Sequence, residues 1–101
     1  ITGGIKIDDP ALDLAVIFSI LSSNTNLSIE NGLCFCAEVG LSGELRNVKN
    51  IDIRISEAER LGYNKIIISS NSKTQNKTNQ IEILKFSKLS DVVKEVFKEQ
   101  D

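Results

Sequence analysis

The chain has no histidine, so no imidazole can activate a serine or cysteine, and only serine–lysine, threonine or carboxylate chemistry remains open. Attention therefore falls on charged side chains in apolar places. Stepping about 100° per residue from Ile51 sets Ile55, Ala58 and Leu61 on one helical stripe, and Arg54 falls on it between Ala58 and Leu61. A guanidinium turned inward cannot shed its proton and needs carboxylates or carbonyl oxygens around it. Asp8, Asp9, Asp13 and Glu38 are the candidate partners. A structural ion pair is the favoured reading, ahead of a contact to a ligand or a DNA phosphate. On that reading Arg54→Ala costs about 3 to 5 kcal/mol if it leaves a buried carboxylate unpaired. Asp13 lies early in an otherwise apolar helix, where the helix dipole favours a negative charge, and Glu38 lies near the end of an apolar strand. Both are read as structural rather than catalytic.

Cys34 and Cys36 are the only cysteines. They are expected on opposite faces of a strand, as ordinary buried thiols and not as a disulfide. A zinc site usually takes four N or S ligands, which this chain cannot assemble, so no metal is expected. Gly3-Gly4 and Gly40-Leu41-Ser42-Gly43 match neither a phosphate-binding loop nor a dinucleotide fingerprint and read as turns. With 12 basic against 14 acidic side chains, the formal charge of −2 gives no global attraction to nucleic acid or anionic lipid. A DNA contact would need a local patch. Arg46, Lys49, Lys73 and Lys77 are the candidates, with Lys85 and Lys88 extending the rim, although no aromatic residue is interleaved to stack on bases.

The elements that must position these residues follow from pattern. The chain's 101 residues, 41% apolar, suffice for one domain (1–101) with a modest core. The longest apolar stretch, 14–21, is far shorter than the roughly 20 residues a bilayer crossing needs. With no signal-peptide pattern before Pro10, a cytoplasmic location and no membrane are expected, and the start at Ile1 without methionine suggests a fragment of a longer protein. Ile5-Lys6-Ile7 reads as the end of a strand. Asp9 and Pro10 suit the cap and first position of a helix whose apolar run, 11–21, must be covered on most sides. A polar loop to Gly32 leads to a strand at 33–39, a tight Gly40 to Gly43 connection and a returning strand at 44–48. Asn50 is the expected cap of a second helix that Gly62 ends. A buried strand follows at 65–69, parallel to a neighbour because a helix precedes it. Then come a solvated loop at 70–79, a strand at 81–86 and a helix capped by Ser90, with Leu89, Val92, Val93, Val96 and Phe97 as its apolar stripe. This alternation predicts an α/β fold, or α+β by stricter bookkeeping, with a mixed sheet covered mainly by helices.

Three segments together carry a resemblance: Gly3-Gly4-Ile5-Lys6-Ile7-Asp8-Asp9-Pro10-Ala11-Leu12-Asp13-Leu14-Ala15, then Ala37-Glu38-Val39-Gly40-Leu41-Ser42-Gly43-Glu44-Leu45-Arg46, then Arg54-Ile55-Ser56-Glu57-Ala58-Glu59-Arg60-Leu61-Gly62. They resemble the C-terminal domain of the RadA/Sms DNA-repair family in its GGxxxxxPAxDLA, GEVGLxGExR and RxxEAxxLG patterns. Ala37 and Asn47 depart from the commoner residues.

The resemblance implies a fold like the Lon peptidase domain, of the type also seen in domain 2 of ribosomal protein S5. In that peptidase a serine in a DGPSAG-type segment is the nucleophile and a lysine on a following helix is the base. The matching positions here are Ala11, which offers no nucleophile, and Arg54, which stays protonated at neutral pH. Ser42 or Ser56 could replace the serine only beside a base of depressed pKa. The implied role is a noncatalytic scaffold in a bacterial DNA-dependent ATPase of recombinational repair and branch migration. It would support a hexameric ring of its own copies and help to hold single-stranded or branched DNA. No cofactor is expected in this domain, while ATP, Mg and Zn would belong to a preceding part of the protein. The rival readings are a residual ATP-dependent serine peptidase and a protein-interaction domain without DNA contact.

Overall fold

Asp9 caps the first helix as its position suggests, its side chain accepting the Ala11 N–H at 3.0 Å while Pro10 takes the first helical place. The computed structural model describes residues 9–75 and 80–98, so Gly3-Gly4, the strand expected at 5–7, Asp8 and Lys77 lie outside the described residues. Pro10–Leu12 forms one 3-10 turn, and α1, Asp13–Thr25, continues from it. The helix outlasts the expected 11–21: Thr25 Oγ1 donates to the Leu21 carbonyl at 2.6 Å, and Asn26, left-handed at φ 59°, ends it.

The strand expected at 33–39 is divided. β1 is Leu33–Cys36 and β2 is Glu38–Val39, because the carbonyl of Ala37 between them accepts the Leu14 N–H of α1 at 3.3 Å. β3, Leu45–Arg46, returns antiparallel to β2 with Val39 opposite Leu45 and Glu38 opposite Arg46, a shorter strand than 44–48. α2, Ile51–Arg60, follows. Asn50 precedes it without capping it, since at φ 60° it lacks the extended backbone that aims a cap side chain at the first turn. The other end fits the expectation. Gly62 at φ 98° closes a Schellman motif in which Tyr63 N–H bonds the Ala58 carbonyl and Gly62 N–H the Glu59 carbonyl, both at 3.1 Å.

β4, Lys65–Ser69, lies parallel between β1 and β5, Glu82–Phe86, and α3, Leu89–Val96, completes the chain. Lys88, not Ser90, stands at the cap position of α3; Ser90 is already its second residue. The α/β expectation holds, with the parallel and antiparallel pairings separated into a three-stranded sheet and a two-stranded ribbon.

Side-chain alternation sorts the sheet into two cores. Cys34, Cys36, Ile66, Ile68 and Ile83 meet Ile51, Ile55 and Ala58 of α2 on one face. Leu33, Phe35, Ile67, Leu84 and Phe86 meet Leu14 and Phe18 of α1 and Val92, Val93 and Val96 of α3 on the other. Phe18 stacks on Phe35 with centroids 4.8 Å apart and tilts against Phe97 at 5.7 Å. Phe18, fully buried between them, contributes roughly 1.5–3 kcal/mol.

This arrangement corrects four expectations. Cys34 and Cys36 share a face, as residues two apart on a strand must. Leu61 is exposed, because it follows the last turn of α2 instead of continuing its buried stripe. Among the described residues α1 is covered on one side, and Leu12 just before it, with Val16 and Ile20, four residues apart, forms an exposed apolar stripe. In the polar connection after β4, Ser72 is buried rather than solvated.

Candidate functional site

Two places in the fold gather the candidate residues. The first lies where the 3-10 turn meets α2. Ala11 is buried in the α2-side core and presents only a methyl group. Arg54 donates from Nε to the Lys49 carbonyl at 2.8 Å, from Nη1 to Asp9 Oδ2 at 3.0 Å and from Nη2 to Asp9 Oδ1 at 3.5 Å. Asp9 thus caps the turn and holds the arginine with one carboxylate. The Ala11 N–H bond, and after it the Arg54 guanidinium, hold its carboxyl below the usual aspartate value. The pair is only half-buried, with side chains 33% and 43% exposed, so the buried-charge penalty behind the expected 3 to 5 kcal/mol does not apply.

Of the three proposed partners of Arg54 that are among the described residues, Asp9, Asp13 and Glu38, the structure brings Asp9 to it. Asp13 instead accepts the Val39 N–H at 3.2 Å, tying α1 to β2. Glu38 lies 4.0 Å from Arg46 across the ribbon. Ser42 and Ser56 lie apart from Arg54, on the hairpin turn and an exposed face of α2. The two thiols share a groove of about 490 Å³ with Ala11 and Arg54, flanked by β1 and α2. Burial, and then Cys36, push Cys34 up to about 11; burial also raises Cys36, so neither is a ready thiolate at neutral pH. Among the described residues, no group of three or more His, Cys, Asp or Glu side chains is placed to hold a metal.

The second place is the carboxyl end of β4 and β5. Ser69 Oγ donates to the Leu45 carbonyl at 3.1 Å and accepts the Asn71 N–H at 3.1 Å, so the ribbon is fastened across the sheet end. The Leu45 N–H bonds the Ser87 carbonyl at 2.9 Å, and the Ser70 and Ser87 hydroxyls meet at 2.5 Å. Lys85 Nζ donates to the Ser72 carbonyl at 3.4 Å, with exposed Lys73 and Lys88 on the two connections. Of the remaining DNA candidates, Arg46 is taken up by Glu44 at 2.7 Å, and Lys49 is exposed beside α2. Sequence reasoning grouped the lysines but missed the serines. The signal available was the polar run Ser69-Ser70-Asn71-Ser72 directly after three isoleucines.

The family model described as ChlI, subunit ChlI of Mg-chelatase, matches residues 2–72. The chain belongs to this ChlI family. Its curated relatives include DNA repair protein RadA of Streptococcus pneumoniae, 41% identical over 96 residues, 94% of this chain and 23% of that protein. RadA of Bacillus subtilis is 37% identical over 95 residues, 93% of this chain and 21% of the relative. RadA of Rickettsia typhi is 46% identical over 69 residues, 68% and 16%. This ChlI-family chain is therefore homologous to RadA over most of its length and spans less than a quarter of the length of these relatives. Among the described residues, no helix is long and apolar enough to cross a membrane.

Proposed function

We propose that this chain is a noncatalytic, Lon-like domain of a RadA-type DNA repair ATPase, acting in the cytoplasm to support ring assembly and to hold DNA during recombinational repair and branch migration. The observation that carries the repair role is 41% identity over 94% of the chain with a protein called DNA repair protein RadA. The noncatalytic reading is supported by the methyl group of Ala11 and by an Arg54 already held by Asp9 and Lys49. Self-association is supported by the exposed stripe of Leu12 on the 3-10 turn with Val16 and Ile20 on α1, and by Leu41, fully exposed on the hairpin turn. The occupant of that surface is a second copy of the chain, in a hexameric ring. ATP, Mg and Zn belong, on this reading, to the rest of the protein.

Light scattering of the full-length protein with ATP and DNA tests the ring, with a hexamer expected; a monomer under those conditions contradicts it. Incubation with unfolded protein substrates tests the absent peptidase, and serine-reagent-sensitive cleavage would restore the enzyme reading. The −2 charge favours one rival, an interaction domain without DNA contact, which predicts no salt-dependent loss of DNA affinity when the domain is removed.

A further inference from the structure

Two side chains able to bond a ligand face one groove and take no part in the function proposed above. Cys34 and Cys36 occupy alternate positions of β1, so both point to the α2 side of the sheet, and both are free thiols. They line the groove of about 490 Å³ with Ala11, Leu61 and Tyr63 as apolar wall and Arg54 as its cation. Cys34 is half-buried and Cys36 buried. Glu57, a carboxylate on the same groove, is taken up by Arg60.

The spacing suits one kind of metal geometry. Residues two apart on a strand have Cα atoms about 6.6 Å apart and side chains on one face. Two metal–sulfur bonds in line span about 4.6 Å, at roughly 2.3 Å each, so the two side chains can converge on a single ion. A zinc ion usually takes four N or S ligands and finds only these two, since among the described residues no group of three or more His, Cys, Asp or Glu is placed to hold a metal. Soft thiolates select Cu(I), which is satisfied by two sulfurs. Two thiolates around a monovalent ion leave one net negative charge, and the groove holds a cation to balance it. Among the described residues Arg54 spends three of its five N–H groups, on Asp9 and the Lys49 carbonyl, and keeps two.

We propose that Cys34 and Cys36 form a two-coordinate thiolate site for a soft monovalent metal ion, Cu(I), with the Arg54 guanidinium balancing the charge. Both thiols are protonated at neutral pH, so binding releases two protons to solvent as the two sulfur–metal bonds form, and no electron is transferred. The apolar wall of the groove keeps the bound ion from water and from harder ligands. The site uses none of the residues assigned to DNA or to self-association, so it stands or falls independently of those readings.

The test is anaerobic titration of the 101-residue chain with Cu(I) buffered by a chromogenic chelator. One ion per chain is expected, with an ultraviolet sulfur-to-copper charge-transfer band growing to that point and Tm rising as the ion is added. Cys34→Ser and Cys36→Ser should each abolish both the band and the rise in Tm. Arg54→Gln should keep the band and weaken binding about tenfold. Zn(II) at the same free concentration should leave Tm unchanged. Retention of the band in either serine variant overturns the site, as does one ion shared between two chains. Equal affinity in the folded chain and in urea also overturns it, because two unorganised thiols would give that result. If circular dichroism shows Cys36→Ser to be unfolded, Cys34→Ser, at the more open position, decides alone. Arg54→Gln binding as tightly as wild type overturns the part given to Arg54.

Discussion

The Asp9–Arg54 locus and the carboxyl end of β4 and β5 both concentrate polar side chains at the rim of a core, yet they are opposites. At the first, the Arg54 guanidinium is bonded to Asp9 and the Lys49 carbonyl, and the neighbouring residue is Ala11, whose side chain can neither give nor take a proton. At the second, among the described residues, Lys73, Lys85 and Lys88 are in no ion pair and the buried Ser72 hydroxyl has no hydrogen-bond partner. The difference separates polarity that holds a fold together from polarity left available to a ligand. Charge count alone does not make that distinction, since Arg46 and Arg54 carry the same charge as the lysines and are already matched.

The largest effect is expected at Ser69, a buried hydroxyl at the sheet end with both of its bonds made inside the protein. Ser69→Ala is expected to cost about 1–3 kcal/mol in denaturant unfolding, because the Leu45 carbonyl and the Asn71 N–H lose their partner. A change near zero would mean that the ribbon is not fastened through this hydroxyl. Arg54→Ala comes next, lowering Tm by a few degrees, less than a buried ion pair would require. A collapse of the fold would show Asp9 to be more deeply buried than its 43% side-chain exposure indicates.

Asp9→Asn adds a pH signature. Its carboxyl is held below 3.8 in the folded chain, so the ionised form stabilises the fold at neutral pH, and that contribution is lost as pH falls through the lowered value. The Tm gap between wild type and Asp9→Asn should therefore persist to about pH 4 and close below it; a gap independent of pH would remove the ion pair from the account. Cys34, pushed up to about 11, should react with a thiol reagent in the native protein far more slowly than in urea. The smallest effect is expected from Ala11→Ser, which should leave the protein without measurable hydrolysis, since the adjacent carboxylate of Asp9 is held by the Ala11 N–H and Arg54 below the usual aspartate value and is a weak base.

Much of the domain is legible in its sequence. The Asp9–Pro10 helix start, the Gly62 stop, the three-isoleucine strand and the α3 stripe are each set by local pattern, and the structure keeps them. What is not legible depends on contacts across the fold. The break at Ala37 is made by a bond from Leu14, 23 residues earlier in the chain, and no local pattern announces it. Arg54 could be seen to need a carboxylate, but the choice of Asp9 over Asp13 depends on β2 claiming Asp13 through the Val39 N–H. The serine pair escaped notice because Ser70 and Ser87 are 17 residues apart and meet only when β4 and β5 align.

The most direct test of the central claim compares the full-length protein with the same protein lacking this domain, in their binding of labelled single-stranded DNA from low to high salt. The account predicts weaker binding and a shallower salt slope on deletion, in preparations that light scattering shows to have the same assembly state. Equal affinity and equal slope in the two proteins would contradict it.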